Sequence, residues 1–390
     1  MPDMSCETDT KINTLPKGYN AAFGILSALA IVMVAAGHLG YNILTVGDLF
    51  PYYSFHVPLF MFISGYFYKK EEQQRPYFYI KKKACRLLVP YFIWNVIYGL
   101  IAWGLRAGGN FTLGEPITVK TLFLDPFLHG YQYLYHFAAW FVPVLFVIEV
   151  MNLFMRMVLR AVHLEDERLI LAGTLAVGMT VVWLSITGHV WGLYKMPGRI
   201  LFLYPCFQMG QFYRCKLEAH DRLGNLPYFA IVLGIQVLLN LCCNGLAYSS
   251  VWCTAFANGP VIPYVTVVTG IAFWLRVAKV LAPVCGGNRA VVCLGQNTFS
   301  VMMHHIMVFM LIKMMLAGIA GRTGYLADFD FERFYTDIDY CYLVKGSEAF
   351  KMVYLAAGIV LPLMLQRGLA VLRMRAGRLL HRLGRNVDLF

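Results

Sequence analysis

Two histidines stand where almost nothing else in the chain can take up a proton. In AAFGILSALAIVMVAAGHLG the only ionisable side chain is His38, and the next apolar run, SFHVPLFMFISGYFYKK, opens close to His56. Imidazole gives and takes protons near neutral pH, so this pair is the first place for acid–base chemistry. A second place is CLGQNTFSVMMHHIMVF, where Gln296 and Asn297 precede His304 and His305. Consecutive residues point about 100° apart on a helix, so at most one of these two histidines faces a given cavity. HFAAWFVPVLFVIEVMN supplies Trp140 and, further along, the carboxylate Glu149. KKKACRLLVPYFIWN supplies four cations, Lys81, Lys82, Lys83 and Arg86, which suit a phosphorylated ligand by charge and equally suit a membrane surface.

The elements that must position these groups are membrane helices. The chain has 390 residues, 59% hydrophobic and 14% charged, against about 25% charged in soluble domains. Apolar runs of about 20 residues recur along it, which implies an all-α, polytopic integral membrane helix bundle. Hydropathy marks ten spans, near 21–45, 52–68, 87–105, 134–155, 169–187, 199–213, 227–247, 257–275, 292–317 and 350–366. The second is short and the sixth is interrupted by Pro205. Residues 1–20 read as a polar cytoplasmic segment rather than a cleavable signal, 21–372 as the membrane domain, and 373–390 as a basic cytoplasmic tail. That tail, RMRAGRLLHRLGRNVDLF, has the pattern of an amphipathic helix lying on the inner leaflet.

Charge sets the orientation. With the N-terminus inside, the inner segments hold 24 of the 33 Lys and Arg residues and the outer ones 9, as the positive-inside rule requires. Both termini are then cytoplasmic. The net charge of +12 is a topology signal that points to the bilayer as partner and away from nucleic acid. The ten cysteines are scattered and lack metal-ligand spacing, so no metal is expected. One large outer loop, 321–349, contains DFDFERFYTDIDYCY, whose carboxylates among aromatics suit either an interfacial belt or a sugar.

Ionisable groups inside spans are costly and usually functional. His38 falls 17 residues into its span, some ~25 Å from the inner end, and His56 opens the returning span at the same outer level. Ser64 lies ~12 Å deeper than His56, too far to act as its nucleophile. Ser64-Gly65 instead permits close helix packing.

Four segments, IVMVAAGH, FHVPLFMFISGYFYKK, RLLVPYFIWN and WFVPVLFVIE, together resemble acyltransferase family 3, the integral membrane O-acyltransferases, and within it the sugar O-acetylases of the fucose 4-O-acetylase type. GQNTFSVMMHHIMVF is similar to that family's late span ending in histidine. The resemblance implies transfer of an acyl group, usually acetyl from acetyl-CoA, to a carbohydrate hydroxyl, with no tightly bound cofactor. His38 falls on the family's span-one histidine and is the implied general base, with His56 second. On the donor side the candidates are Lys83, Arg86, Trp140 and Asn297. Ser27, Ser64, Tyr66, Glu149, His304 and His305 are the candidates for lining the acceptor cavity.

One position departs from the family. Relatives carry an arginine or lysine eleven residues before the histidine, and here that residue is Ser27, with no Lys or Arg between Lys17 and Lys69. Lys83 or Arg86 is the expected substitute. A bacterial inner membrane is the expected location, and an oligomer is compatible with the sequence. Two other readings stay open: a flippase or transporter of a lipid-linked sugar, although the halves show no repeat of the kind many transporters have, and an inactive sensor.

Overall fold

The computed structural model of the chain describes residues 18–382, except 41, 42, 44, 45, 47, 48 and 131, with side chains to residue 378. Most of the expected N-terminal segment and residues 383–390 of the tail lie outside the described residues. In hydrocarbon every backbone N–H and C=O must be satisfied within its own segment, and the described chain is accordingly helical. In order come α1 (Ala21–Gly37), α2 (His56–Tyr66), α3 (Pro76–Lys83), α4 (Val89–Ala107), α5 (Asp125–Leu128), α6 (Phe141–Ala161) and α7 (Glu167–Ile186). Then follow α8 (Lys195–Phe212), α9 (Asn225–Cys242), α10 (Ile262–Cys285), α11 (Arg289–Gln296), α12 (Thr298–Thr323), α13 (Phe331–Thr336) and α14 (Lys351–Arg382). The sole β-type pairing among the described residues is the bridge between Ser249 and Thr254.

Each expected span has its helix, and among the described residues seven helical segments are long and apolar enough to cross a bilayer. The molecule is an all-α membrane helix bundle. α6, α10 and α12 are more than half buried, whereas α7, α9 and α14 are mostly exposed and form the rim that lipid would wet. α1 sits among α2, α10, α11, α12 and α14 at the centre, with Asn20 capping its first turn by accepting from Phe23 N at 3.2 Å.

The differences from the expected spans are local and have physical causes. The first span was expected to reach residue 45, but α1 ends at Gly37, where the chain turns through Gly40 at φ +58°. His38 is therefore the residue that closes the helix, not one inside it. α2 has 11 residues, ~16 Å of rise against a hydrocarbon core of ~30 Å; such a short helix is tolerated because protein surrounds it. Pro205 does not divide α8. Gly178 of α7 leaves room for its ring, since a Cβ there would stand 2.8 Å from Pro205 Cγ. Tyr264 donates to Phe202 O at 3.0 Å in the turn that Pro205 disturbs. The boundary drawn at residue 372 falls inside α14, which continues to Arg382.

α2 and α8 touch backbone to backbone. A Cβ on Gly65 would strike the carbonyl of Phe207, and one on Gly210 would strike the carbonyl of Phe62, so the two glycines set the helix separation reciprocally. Beyond α8, Asp221 ties the following turn to α10: Lys279 donates to it at 2.7 Å and Arg276 pairs with its other oxygen. Burial alone would raise this carboxyl, but the Lys279 hydrogen bond and the charges of Lys279 and Arg276 hold it below its usual range. A depressed carboxylate stabilises the fold above its unfolded pKa of about 4 and loses that contribution as the pH falls through the lower folded value. Asp221→Asn should therefore flatten the acid limb of the unfolding profile below pH ~4, measured by thermal melts in detergent, and leave its shape above that pH unchanged.

Candidate active site

A cavity of about 320 Å³ opens where α1, α2, the start of α6 and the segment 247–255 meet, and both His38 and His56 line it. His38 reaches it because α1 ends there. Its backbone N–H closes the helix by donating to Val34 O at 3.3 Å, which leaves the imidazole no capping duty. His56 is the first residue of α2, with Pro58 in the same turn, where a missing N–H costs nothing. Its Nδ1 donates to Tyr52 O. A carbonyl can only accept, so the proton is on Nδ1 and the lone pair on Nε2.

His304 and His305 part company, as their 100° separation requires. His305 turns towards α1, with its ring centroid 5.2 Å from that of His38. Its Nδ1 donates to Val301 O at 2.7 Å, and its Nε2 is buried with no hydrogen-bond partner. His38 thus has a second imidazole beside it, fixed in tautomer and carrying an open lone pair, and Phe137 edge-on at 4.8 Å on another side. His304 turns away to α4, where Tyr98 Oη lies 2.8 Å from Nδ1 and Trp94 packs edge-on at 4.2 Å. There Tyr98 stacks on His136 at 4.6 Å, and His136 Nε2 bonds Asn95 Oδ1 at 3.0 Å.

The rim of the cavity is aromatic and polar. Tyr53, Trp140, Tyr248, Ser249 and Ser250 all line it. Tyr53 donates to Gly37 O at 3.0 Å and Tyr248 to Ser54 O at 2.7 Å, so α1, α2 and segment 247–255 are stitched together at the mouth. Arg199, fully buried on α8, holds this arrangement from behind. Its Nε donates to Val251 O, and its guanidinium lies 5.4 Å from the Trp140 ring and 5.6 Å from that of Trp252.

About two turns along α6, Lys83 donates to Glu149 Oε1 at 2.5 Å, and Glu149 Oε2 is buried with no hydrogen-bond partner. Next to this pair lies a polar nest. Arg156 grips Glu167 through two bonds of 2.6 Å and also reaches Gln208 and Gln211. Lys70 approaches Glu167 at 3.0 Å.

The structure therefore gathers some of the expected site residues and scatters others. His38, His56 and Trp140 share the cavity, with His305 behind His38; Lys83 and Glu149 form a pair some distance along α6. Arg86 is exposed on the π-helical stretch, Ala84–Leu88, that joins α3 and α4 into one continuous helix. Asn297 bonds Cys293 O at 2.7 Å between α11 and α12, and Ser27 donates to Phe23 O at 2.8 Å in its own helix. Tyr66 bonds Glu218 at 2.9 Å and stacks on Phe23, and neither it nor Ser64 lines the cavity. In the loop 321–349, Phe329 packs with Phe334, Tyr340 and Tyr342, while Asp330 caps α13 and Asp337 pairs with Arg333.

Arg156, Arg199 and segment 247–255 escaped the sequence reading. Arg199 stands at the edge of the expected span 199–213, where an arginine reads by charge alone as a loop residue, although on the apolar side of that edge it is a signal for burial. Segment 247–255 gave no signal, because its inward turn depends on left-handed backbone at Cys253 and Ala255, φ +50° and +63°.

No curated protein and no solved structure matches the chain. A family model for the acyltransferase domain of acyltransferase family 3 does match, over residues 20–329. Those residues begin at the cap of α1, take in both cavity histidines, the Lys83–Glu149 pair and His305, and end in the loop after α12; the chain belongs to acyltransferase family 3.

Proposed function

We propose that this membrane acyltransferase moves an acyl group, acetyl in the simplest case, from cytoplasmic acyl-CoA to a hydroxyl of a carbohydrate acceptor, with His38 as general base. The observation that carries the reading is the placement of His38 and His56 on one cavity whose mouth is aromatic and hydroxylated. Sugars stack on aromatic faces and bond to hydroxyls, so Tyr53, Trp140, Tyr248, Ser249 and Ser250 suit them. With the Lys-rich stretch at 81–86 on the cytoplasmic side, as the charge bias of the loops favours, the donor's phosphates meet Lys83 and Arg86 and its thioester points towards His38. Both termini are then cytoplasmic, in a bacterial inner membrane.

The chemistry needs one base and no redox partner. His38 takes the hydroxyl proton as the oxygen attacks the thioester carbonyl; the tetrahedral species expels the thiolate, and the proton on His38 passes to it. His305, with Nδ1 committed to Val301 O, keeps an open Nε2 in the ring next to His38, an acceptor to which the His38 N–H can turn as the other nitrogen takes the proton. The buried Glu149 holds Lys83, and a donor phosphate must compete for that ammonium.

Membranes containing the protein, incubated with acetyl-CoA labelled in the acetyl group and a panel of envelope glycans, should yield labelled glycan and one free CoA per label. A flippase would move unlabelled glycan without releasing CoA, and a sensor would do neither. Either result would sink the proposal.

A further inference from the structure

The cavity has two unlike halves. Its mouth is polar and aromatic, but below the histidines it is lined by Ile31, Val34, Val57, Phe60, Phe141 and Met302. Ile31, Val34 and His38 are spaced to share one face of α1, so the apolar half extends from His38 to Ile31, seven residues or ~10 Å. Phe60 and Phe141 close one side edge to face at 6.1 Å. Ile31 and Val34 pack with Val301 in a small apolar cluster apart from the main core, with Phe60 and Met302 against it.

Apart from the weakly accepting thioether of Met302, no side chain of this floor can donate or accept a hydrogen bond, and its helix backbones are satisfied internally. A sugar hydroxyl or a pantetheine amide placed there would be buried without a partner, which is costly. An alkyl chain loses nothing and leaves water.

We propose that the floor takes the acyl chain of the donor, so that the protein transfers short- to medium-chain acyl groups such as butyryl and hexanoyl, with the acyl carbonyl at His38 and the chain directed towards Ile31. The inference rests on the acyl-transfer reading and specifies its donor. A hexanoyl group, five bonds long at about 1.2 Å per bond of extended chain, spans ~6 Å, within the ~10 Å of helix rise between His38 and Ile31. Met302, flexible and polarisable, suits chains of unequal length.

The full-length protein in its own membranes should be photolysed with hexanoyl-CoA carrying a diazirine at the chain end, followed by peptide mass spectrometry. Saturable adducts on Val34, Phe60 or Met302, competed by hexanoyl-CoA, are expected. Adducts on 247–255, adducts that do not saturate, or no adducts overturn the proposal. In parallel, Val34→Trp should lower the ratio of hexanoyl to acetyl transfer at least about tenfold, since even one methylene of pocket space is worth that much; an unchanged ratio counts against it. Saturable floor adducts in membranes that transfer no acyl group to any glycan would establish the floor as a chain site and refute the acyl-transfer reading.

Discussion

His38→Ala is expected to lower acyl transfer at least about a hundredfold, the bottom of the range for a positioned acid or base, with the melting temperature in detergent unchanged. The reasoning runs from the end of α1. His38 closes the helix through its backbone N–H, to Val34 O and Ala36 O, while its imidazole lies against the edge of Phe137 and the ring of His305. Removing it leaves the helix end intact and the cavity without its base. Alanine at His304 is the control. That ring is tied to Tyr98 and Trp94, so its loss should lower the melting temperature and change turnover far less. Full transfer by His38→Ala would end the assignment of the base.

The second large effect concerns stability. Glu167→Ala should destabilise the bundle by about 3–5 kcal/mol, because it leaves a buried guanidinium without its carboxylate. Arg156 is 3% exposed and Glu167 4%, and the two parallel bonds of 2.6 Å between them join α6 to α7. Gln208 and Gln211 can solvate Arg156 but cannot neutralise it. The double variant Arg156→Met with Glu167→Leu removes both charges and should recover most of the loss, since matched apolar groups replace such pairs at little cost. Reversible unfolding in mixed micelles measures both. A single-variant loss below about 1 kcal/mol, the value of an exposed pair, would show that water reaches the site.

The bundle was legible in the sequence because a bilayer leaves few alternatives. Long apolar runs must be helices, and every expected span has one. The histidine level was legible too, since the rise of α1 and the direction of α2 fix where His38 and His56 fall, and both line the cavity. The orientation of His304 against His305 was not, because a 100° step can be assigned only when the neighbouring helices are known. Charge drew attention to Lys83 and Arg86 alike, and which of them reaches the buried Glu149 depends on packing: Lys83 donates to it. Arg156 lay just beyond the expected end of its span, so its burial in the nest with Glu167 was hidden by a boundary error of a few residues.

The glycine contact between α2 and α8 also bears on how the protein is made. Gly65 and Gly210 are 145 residues apart, and at 5–20 residues per second roughly seven to thirty seconds separate their emergence from the ribosome. During that interval α2, too short to cross the membrane by itself, has no partner for its glycine face, and His56 has no finished cavity. The biosynthetic insertion machinery must shelter this half-length helix until α8 arrives. A chain truncated before residue 195 should consequently be a substrate for membrane quality control, even though it already contains both cavity histidines.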